Sequence, residues 1–152
     1  MPQLPIHFFS EDVSFNLKHK GLLRNWLKNT VVAEGHKLKE LNFIFCSDNY
    51  LLSINKQYLK HNTFTDIITF DNSDKTNEIV GDIFISIERV QENSITFKVP
   101  MLEELHRVMI HGTLHLLGYP DKGKSAKTLM TSKENYYLGK LFIDYPVGPA
   151  TK

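Results

Sequence analysis

Apolar and polar positions along the chain change period several times, and each change marks an element. Residues 5–9 (PIHFF) alternate briefly and open on a proline, which a strand tolerates at its start, so a first strand is predicted there. From about Phe15 to Ala33 the residues Leu17, Leu22, Leu23, Trp26, Leu27 and Val31 fall near helical spacing, which predicts an amphipathic helix. Residues 40–46 (ELNFIFC) alternate again and are rich in strand formers. Ser47-Asp48 then offers an N-cap for a helix reaching about Leu59. Two short apolar runs, 66–70 and 79–85, flank the polar stretch DNSDKTNE and predict two strands joined by a turn.

A short helix is expected from Ile85 to about Ile95. Pro100 suits the first turn of a longer helix over 101–117, ended by Gly118. A last helix is expected over 125–142. The interleaving lacks a regular βαβ rhythm, so the expected fold class is α+β: a small mixed sheet packed with helices. One domain over 1–143 is expected, with 144–152 a flexible tail containing two prolines and a glycine (YPVGPATK after Asp144).

Composition narrows the class of protein. At 152 residues, 41% hydrophobic and 23% charged, the chain is ordinary globular material and long enough to bury a core. One cysteine, Cys46, excludes a disulfide framework and a Cys-rich zinc module, and suits a reducing compartment. No apolar run approaches a membrane span and the N-terminus lacks the pattern of a signal peptide, so a cytoplasmic protein with no membrane partner is expected. A net charge of +1 gives no global basic footprint, and no DNA partner is expected. Lys20, Arg24 and Lys28 recur along the polar face of the first helix and could meet RNA phosphates, although solvation explains them more simply. Cys46 and Trp26 are expected in the core.

The chemistry concentrates in EELHRVMIHGTLHLLGYPDK, residues 103–122. Leu105, Met109, Gly112 and Leu116 form one stripe, expected to face the core. His111 and His115 lie one turn apart on another face, close enough for both imidazoles to reach one ion. Gly118 can end the helix in a left-handed cap, and Asp121 follows six residues after His115. The spacing H-x-x-x-H-x-x-G-x-x-D matches the zincin layout H-E-x-x-H-x-x-G-x-x-H, with Gly112 where the glutamate stands and Asp121 where the third histidine stands. Three protein ligands leave one tetrahedral position open, as in a catalytic zinc site. Asp121 is alternatively a turn residue beside Gly and Pro. Gly112 costs about 1 kcal/mol relative to alanine within a helix, so it is expected to serve close packing or to leave room above the metal. It also removes the general base of an H-E-x-x-H peptidase, which disfavours ordinary zinc proteolysis. Arg107 is expected to pair with Glu103 one turn away, and Glu104 either orients an imidazole or is merely solvated.

The run HGTLHLLGY at 111–119 resembles the signature H-G-x-L-H-L-x-G-Y-D-H of the YbeY family of rRNA-maturation endoribonucleases. Asn55, Tyr58, Thr65, Asp66 and Phe70 are similar to that family's N-x-x-Y-R…P-T-D-V-L-S-F, Gly81-Asp82-Ile83 to its G-D-I strand, and Met130 with Glu134 to a downstream M-x-x-x-E. The resemblance implies a zincin-like fold and one zinc ion per chain, held by His111, His115 and Asp121. It implies metal-dependent cleavage of single-stranded RNA, with roles in small-subunit rRNA maturation and ribosome quality control and the small ribosomal subunit as partner. Leu59 stands where the family has an arginine, so Lys60 or His61 is the candidate for stabilising charge at phosphorus, and His61 also for proton transfer. Two other readings stay open: a weakly catalytic or non-catalytic ribosome-assembly factor with a structural zinc, and a hydrolase of another substrate such as a peptide.

Overall fold

The computed structural model describes residues 4–61 and 63–144, so the expected tail beyond residue 144 lies outside the described residues. Four strands and five helices follow one another as β1 (Ile6–Ser10), α1 (Lys20–Ala33), β2 (Lys37–Cys46), α2 (Asp48–Ile54), β3 (Ile67–Asp71), β4 (Glu78–Ser86), α3 (Ile87–Phe97), α4 (Met101–Leu116) and α5 (Lys124–Asp144). The sheet order is β1-β2-β4-β3. β1, β2 and β4 run parallel, and β3 pairs antiparallel to β4 with Ile67 opposite Ile85. The sheet is therefore mixed, as the absence of a regular βαβ rhythm predicts.

Alternation along the two central strands sends side chains to two separate apolar clusters. Leu41, Phe43 and Phe45 of β2 and Ile79, Ile83 and Ile85 of β4 are buried with Leu23, Trp26 and Leu27 of α1, Leu105 and Met109 of α4 and Leu138 of α5. On the opposite face Cys46 and Ile68 pack with Leu51 and Ile54 of α2. Cys46 and Trp26 are thus core residues, and burial pushes the Cys46 thiol up to about 12.

Element boundaries differ from expectation where tertiary contacts take over from local pattern. α1 begins at Lys20, not near Phe15, because His19 adopts a left-handed backbone with φ 63°. Leu17 is buried all the same, and the Phe15 ring packs edge-on against Phe45 at 5.1 Å, so a non-helical lead-in accounts for apolar spacing that reads as helical. β2 starts earlier, at Lys37, where pairing with Glu78 carries polar residues into the strand. α3 starts at Ile87, two residues late, because the Ser86 hydroxyl accepts a hydrogen bond from the Arg89 amide (3.1 Å) and caps it. Ser47 caps α2 in the same way through the Tyr50 amide (3.1 Å). The turns after Ile54 widen into a π-helical segment, Asn55–Leu59, that ends at Lys60 with φ 58°. Pro100 is the N-cap of α4, one position before the first turn.

Arg24 donates to the Ile6 carbonyl (2.8 Å) and lies over the Phe8 ring at 5.0 Å. This anchors α1 to β1 and takes Arg24 off the solvated face expected for Lys20, Arg24 and Lys28.

His106 is 7% exposed, its ring sits edge-on to Trp26 at 6.2 Å, and its Nε2 has no hydrogen-bond partner among the described residues. Burial, reinforced by the charge of His19, lowers its pKa to about 4. The unfolded chain titrates near 6.5 and so binds this proton first. The stabilisation is complete above pH 6.5 and is lost progressively as pH falls towards 4, by about 3 kcal/mol in all. Urea midpoints are expected to fall further between pH 7 and 4.5 in the wild type than in His106→Leu. Equal falls in the two proteins exclude His106 as the cause.

Candidate metal centre

α4 presents its two histidines because its buried stripe is fixed against the sheet. Leu105, Met109, Gly112 and Leu116 are all buried, as their spacing predicts. A Cβ at Gly112 would lie 2.7 Å from Ile67 Cδ1 and 3.0 Å from Ile83 Cγ2, so the glycine serves close approach of helix to sheet. The two alternatives for Gly112 thereby resolve in favour of packing. With that face held down, His111 and His115 project into a cleft of about 460 Å3 whose walls include Leu59, His61, Phe64 and Asp66.

The end of α4 carries the third candidate ligand. Gly118, at φ +105°, donates to the His115 carbonyl (3.0 Å), and the Tyr119 amide donates to the Leu114 carbonyl (3.0 Å). This is the paired bonding of a Schellman cap, and it needs the positive φ that glycine supplies. The reversed chain brings Asp121 back beside the helix. Its Oδ2 lies 3.3 Å from His111 Nε2 and 3.2 Å from His115 Nε2.

Both imidazoles are held from behind. His111 Nδ1 bonds Glu134 Oε2 at 2.6 Å, and His115 Nδ1 bonds the Tyr119 carbonyl at 3.0 Å. Each Nδ1 faces an acceptor and so donates, which leaves each Nε2 as the atom that would offer a lone pair to a shared ion. Three donor atoms, one from each of His111, His115 and Asp121, lie within 4.8 Å of one another and could hold a metal ion. Tetrahedral zinc with bonds of about 2.0–2.1 Å sets donors about 3.4 Å apart. The 3.2 and 3.3 Å separations fit that edge.

Charge around the centre also suits a cation. Burial disfavours the ionised form of Asp121, but His115 and His111 outweigh it and hold its carboxyl below the usual range. Burial likewise opposes a charge on His111, and the bond and charge of Glu134, with Asp121 and Asp66, overcome it and raise its pKa. Burial raises both Asp66 and Glu104. A smaller cavity of about 250 Å3 lies behind His111, with Asp66, Glu104, Arg107 and Glu134 in its walls.

Several sequence expectations find different partners. Arg107 does not pair with Glu103. It crosses to α5, where it meets Glu134 Oε1 at 2.8 Å and Asn135 Oδ1 at 2.7 Å. A carboxylate buried as deeply as Glu134 attracts a guanidinium more strongly than the less buried Glu103 on the same helix does. The residue that orients His111 is Glu134, not Glu104. The M-x-x-x-E resemblance at Met130 and Glu134 was the one signal for it. His61 lines the cleft, held by its amide bond to the Asn55 carbonyl (3.1 Å), while Asn55 Nδ2 donates to the Thr63 carbonyl (2.8 Å). Lys60 is exposed and is not among the residues lining the cleft. Lys122, which the sequence did not single out, is the lysine that does.

A family model described as Endoribonuclease YbeY matches residues 6–142. An "Endoribonuclease YbeY" of Flavobacterium psychrophilum is 52% identical over 134 residues, covering 88% of this chain and 94% of the relative. One of Cytophaga hutchinsonii is 47% identical over 138 residues, covering 91% and 96%. The solution structure of a Thermotoga maritima protein aligns with a TM-score of 0.67 and 26% identity, covering 97% of this chain and 95% of that one.

Proposed function

Since the chain belongs to the endoribonuclease YbeY family, we propose that it is a zinc-dependent endoribonuclease that cuts single-stranded RNA in small-subunit rRNA maturation and ribosome quality control. On this reading the protein works in the cytoplasm as one domain over 1–143, with the small ribosomal subunit as its partner. No helix among the described residues is long and apolar enough to cross a membrane. The observation that carries the reading is the convergence of His111 Nε2, His115 Nε2 and Asp121 Oδ2 at one point while both Nδ1 atoms are engaged elsewhere.

His111, His115 and Asp121 would hold one zinc ion. When bound, zinc supplies Lewis acidity to a phosphate oxygen or a water. The remaining work falls to the chain. Glu134 and the Tyr119 carbonyl keep the imidazoles in one tautomer and one orientation. Leu59 and Phe64 give the cleft an apolar edge. His61 takes or returns a proton at the reacting hydroxyl, and Lys60 stabilises phosphate charge from outside the cleft wall.

The test is cleavage of matched single-stranded and duplex RNA before and after chelation, with zinc content measured alongside. Cleavage of the single strand alone is expected, lost on chelation and restored by zinc. Cleavage that persists in demonstrably metal-free protein sinks the zinc reading. The alternative, an assembly factor with a structural zinc, draws on Leu59 at the family's arginine position and on Lys60 outside the cleft lining. RNA binding without cleavage in the zinc-loaded protein favours it.

A further inference from the structure

The chain from Tyr119 to Lys122 is tied to the rest of the fold through Tyr119, whose ring packs against the main core and whose amide bonds the Leu114 carbonyl. It is flanked by Gly118 at φ +105° and Gly123 at φ +90°, and Pro120 is exposed. Yet it must deliver two groups: the Tyr119 carbonyl that holds His115 Nδ1, and the Asp121 carboxylate. Apart from Asp121 itself, the only side chain of 119–122 with a hydrogen bond among the described residues is Tyr119. Its hydroxyl donates to Glu34 Oε1 at 2.6 Å.

Glu34 is a fixed post. It stands at the C-cap of α1, where its amide donates to the Thr30 carbonyl (3.0 Å), and α1 is anchored by the fully buried Leu23, Leu27 and Val31. Its side chain is 11% exposed. Its second oxygen, Oε2, accepts from Lys133 Nζ (3.1 Å) and from the Tyr137 hydroxyl, both on α5. Lys133 also lies over the Tyr119 ring at 5.3 Å. One carboxylate thus joins α1, α5 and the turn after α4. A carboxylate with three donors around it has little freedom to move, because any displacement breaks a charge-assisted bond.

We infer that Glu34 is a positioning residue for the metal centre, fixing the Tyr119 ring and with it the turn that supplies the His115 carbonyl partner and Asp121. The inference rests on the metal reading proposed above. Outer partners of metal ligands commonly set affinity by about 10–100-fold, and Glu34 acts one bond further out, so an effect near the lower end is expected.

Zinc affinity of the full chain, read by competition with a chromogenic chelator, tests it without reference to activity. Glu34→Ala is expected to bind zinc about 10-fold more weakly, and Tyr119→Phe similarly. The double variant should be no weaker than either single one, since both remove the same bond. Glu34→Gln keeps an oxygen for the tyrosine and should recover part of the affinity. Val31→Ala, a cavity in the same helix, controls for general loosening: it should lower the melting temperature of the metal-free protein yet leave zinc affinity unchanged. Wild-type affinity in both Glu34→Ala and Tyr119→Phe overturns the inference, as does a loss in Val31→Ala equal to theirs. If Glu34→Ala fails to fold, Glu34→Gln and Tyr119→Phe decide the matter by the same criteria. A wild-type protein that binds no zinc overturns the metal reading along with this one, which separates the two failures.

Discussion

Replacing Asp121 with alanine is expected to weaken zinc binding by more than about 100-fold, the upper range for losing an outer partner alone, and to abolish RNA cleavage with little change in fold. The carboxylate supplies one of three converging donors, and two imidazoles on a helix turn do not by themselves enclose an ion. Its side chain is 37% exposed, so its removal leaves no cavity and little stability is at stake. Asp121→His separates a ligand from a turn residue. An imidazole there keeps a donor, as in the family's own signature, and should retain zinc, whereas Asp121→Ala should not. Elemental analysis of untagged protein decides it: about one zinc per chain in both variants means that Asp121 only shapes the turn.

The second large effect is expected at Glu134. Both of its oxygens are committed, one to His111 Nδ1 at 2.6 Å and the other to Arg107 at 2.8 Å, and the residue is 6% exposed. Glu134→Ala frees the His111 ring to rotate and to exchange tautomers, which should lower zinc affinity by about 10–100-fold. It also strands the inner side of the Arg107 guanidinium. Breaking a buried pair costs about 3–5 kcal/mol, but Arg107 is 32% exposed and keeps Asn135, so about 2–3 kcal/mol of stability loss in the metal-free protein is expected. Glu134→Gln retains an acceptor for His111 and should lose stability more than affinity. Urea unfolding of metal-free protein together with chelator competition would separate the two consequences. Unchanged affinity in Glu134→Ala would show that His111 needs no support from α5.

The contrast between Asp121 and Glu134 marks what the sequence can disclose. His111, His115, Gly118 and Asp121 are legible because they lie within three turns of chain, and helix geometry with one capping glycine relates them. Glu134 reaches His111 across 23 positions and Glu34 reaches Tyr119 across 85, and those contacts depend on how α1, α4 and α5 pack. No periodicity carries that information. The strand segments were readable from alternation, but their order was not, because β4 enters between β2 and β3 through pairings remote in sequence. At α1 the pattern misled: Phe15 and Leu17 reach the core from a segment outside the helix, and burial alone does not distinguish that from a helical turn.

The close seating of α4 on the sheet bears on how this scaffold could diversify. In an H-E-x-x-H peptidase the residue after the first histidine is the general base, and in this chain that position is Gly112. Its missing side chain points between Ile67 and Ile83, at distances too short even for a methyl group. A glutamate there would crowd the Ile67 and Ile83 side chains and set a carboxylate against an apolar seam, where its charge is costly. Packing therefore opposes acquisition of that base at position 112, before chemistry is tested. The walls of the cleft, at Leu59, His61, Phe64 and Lys122, leave more room for new chemistry, since side chains there can change without moving the ligand-bearing helix.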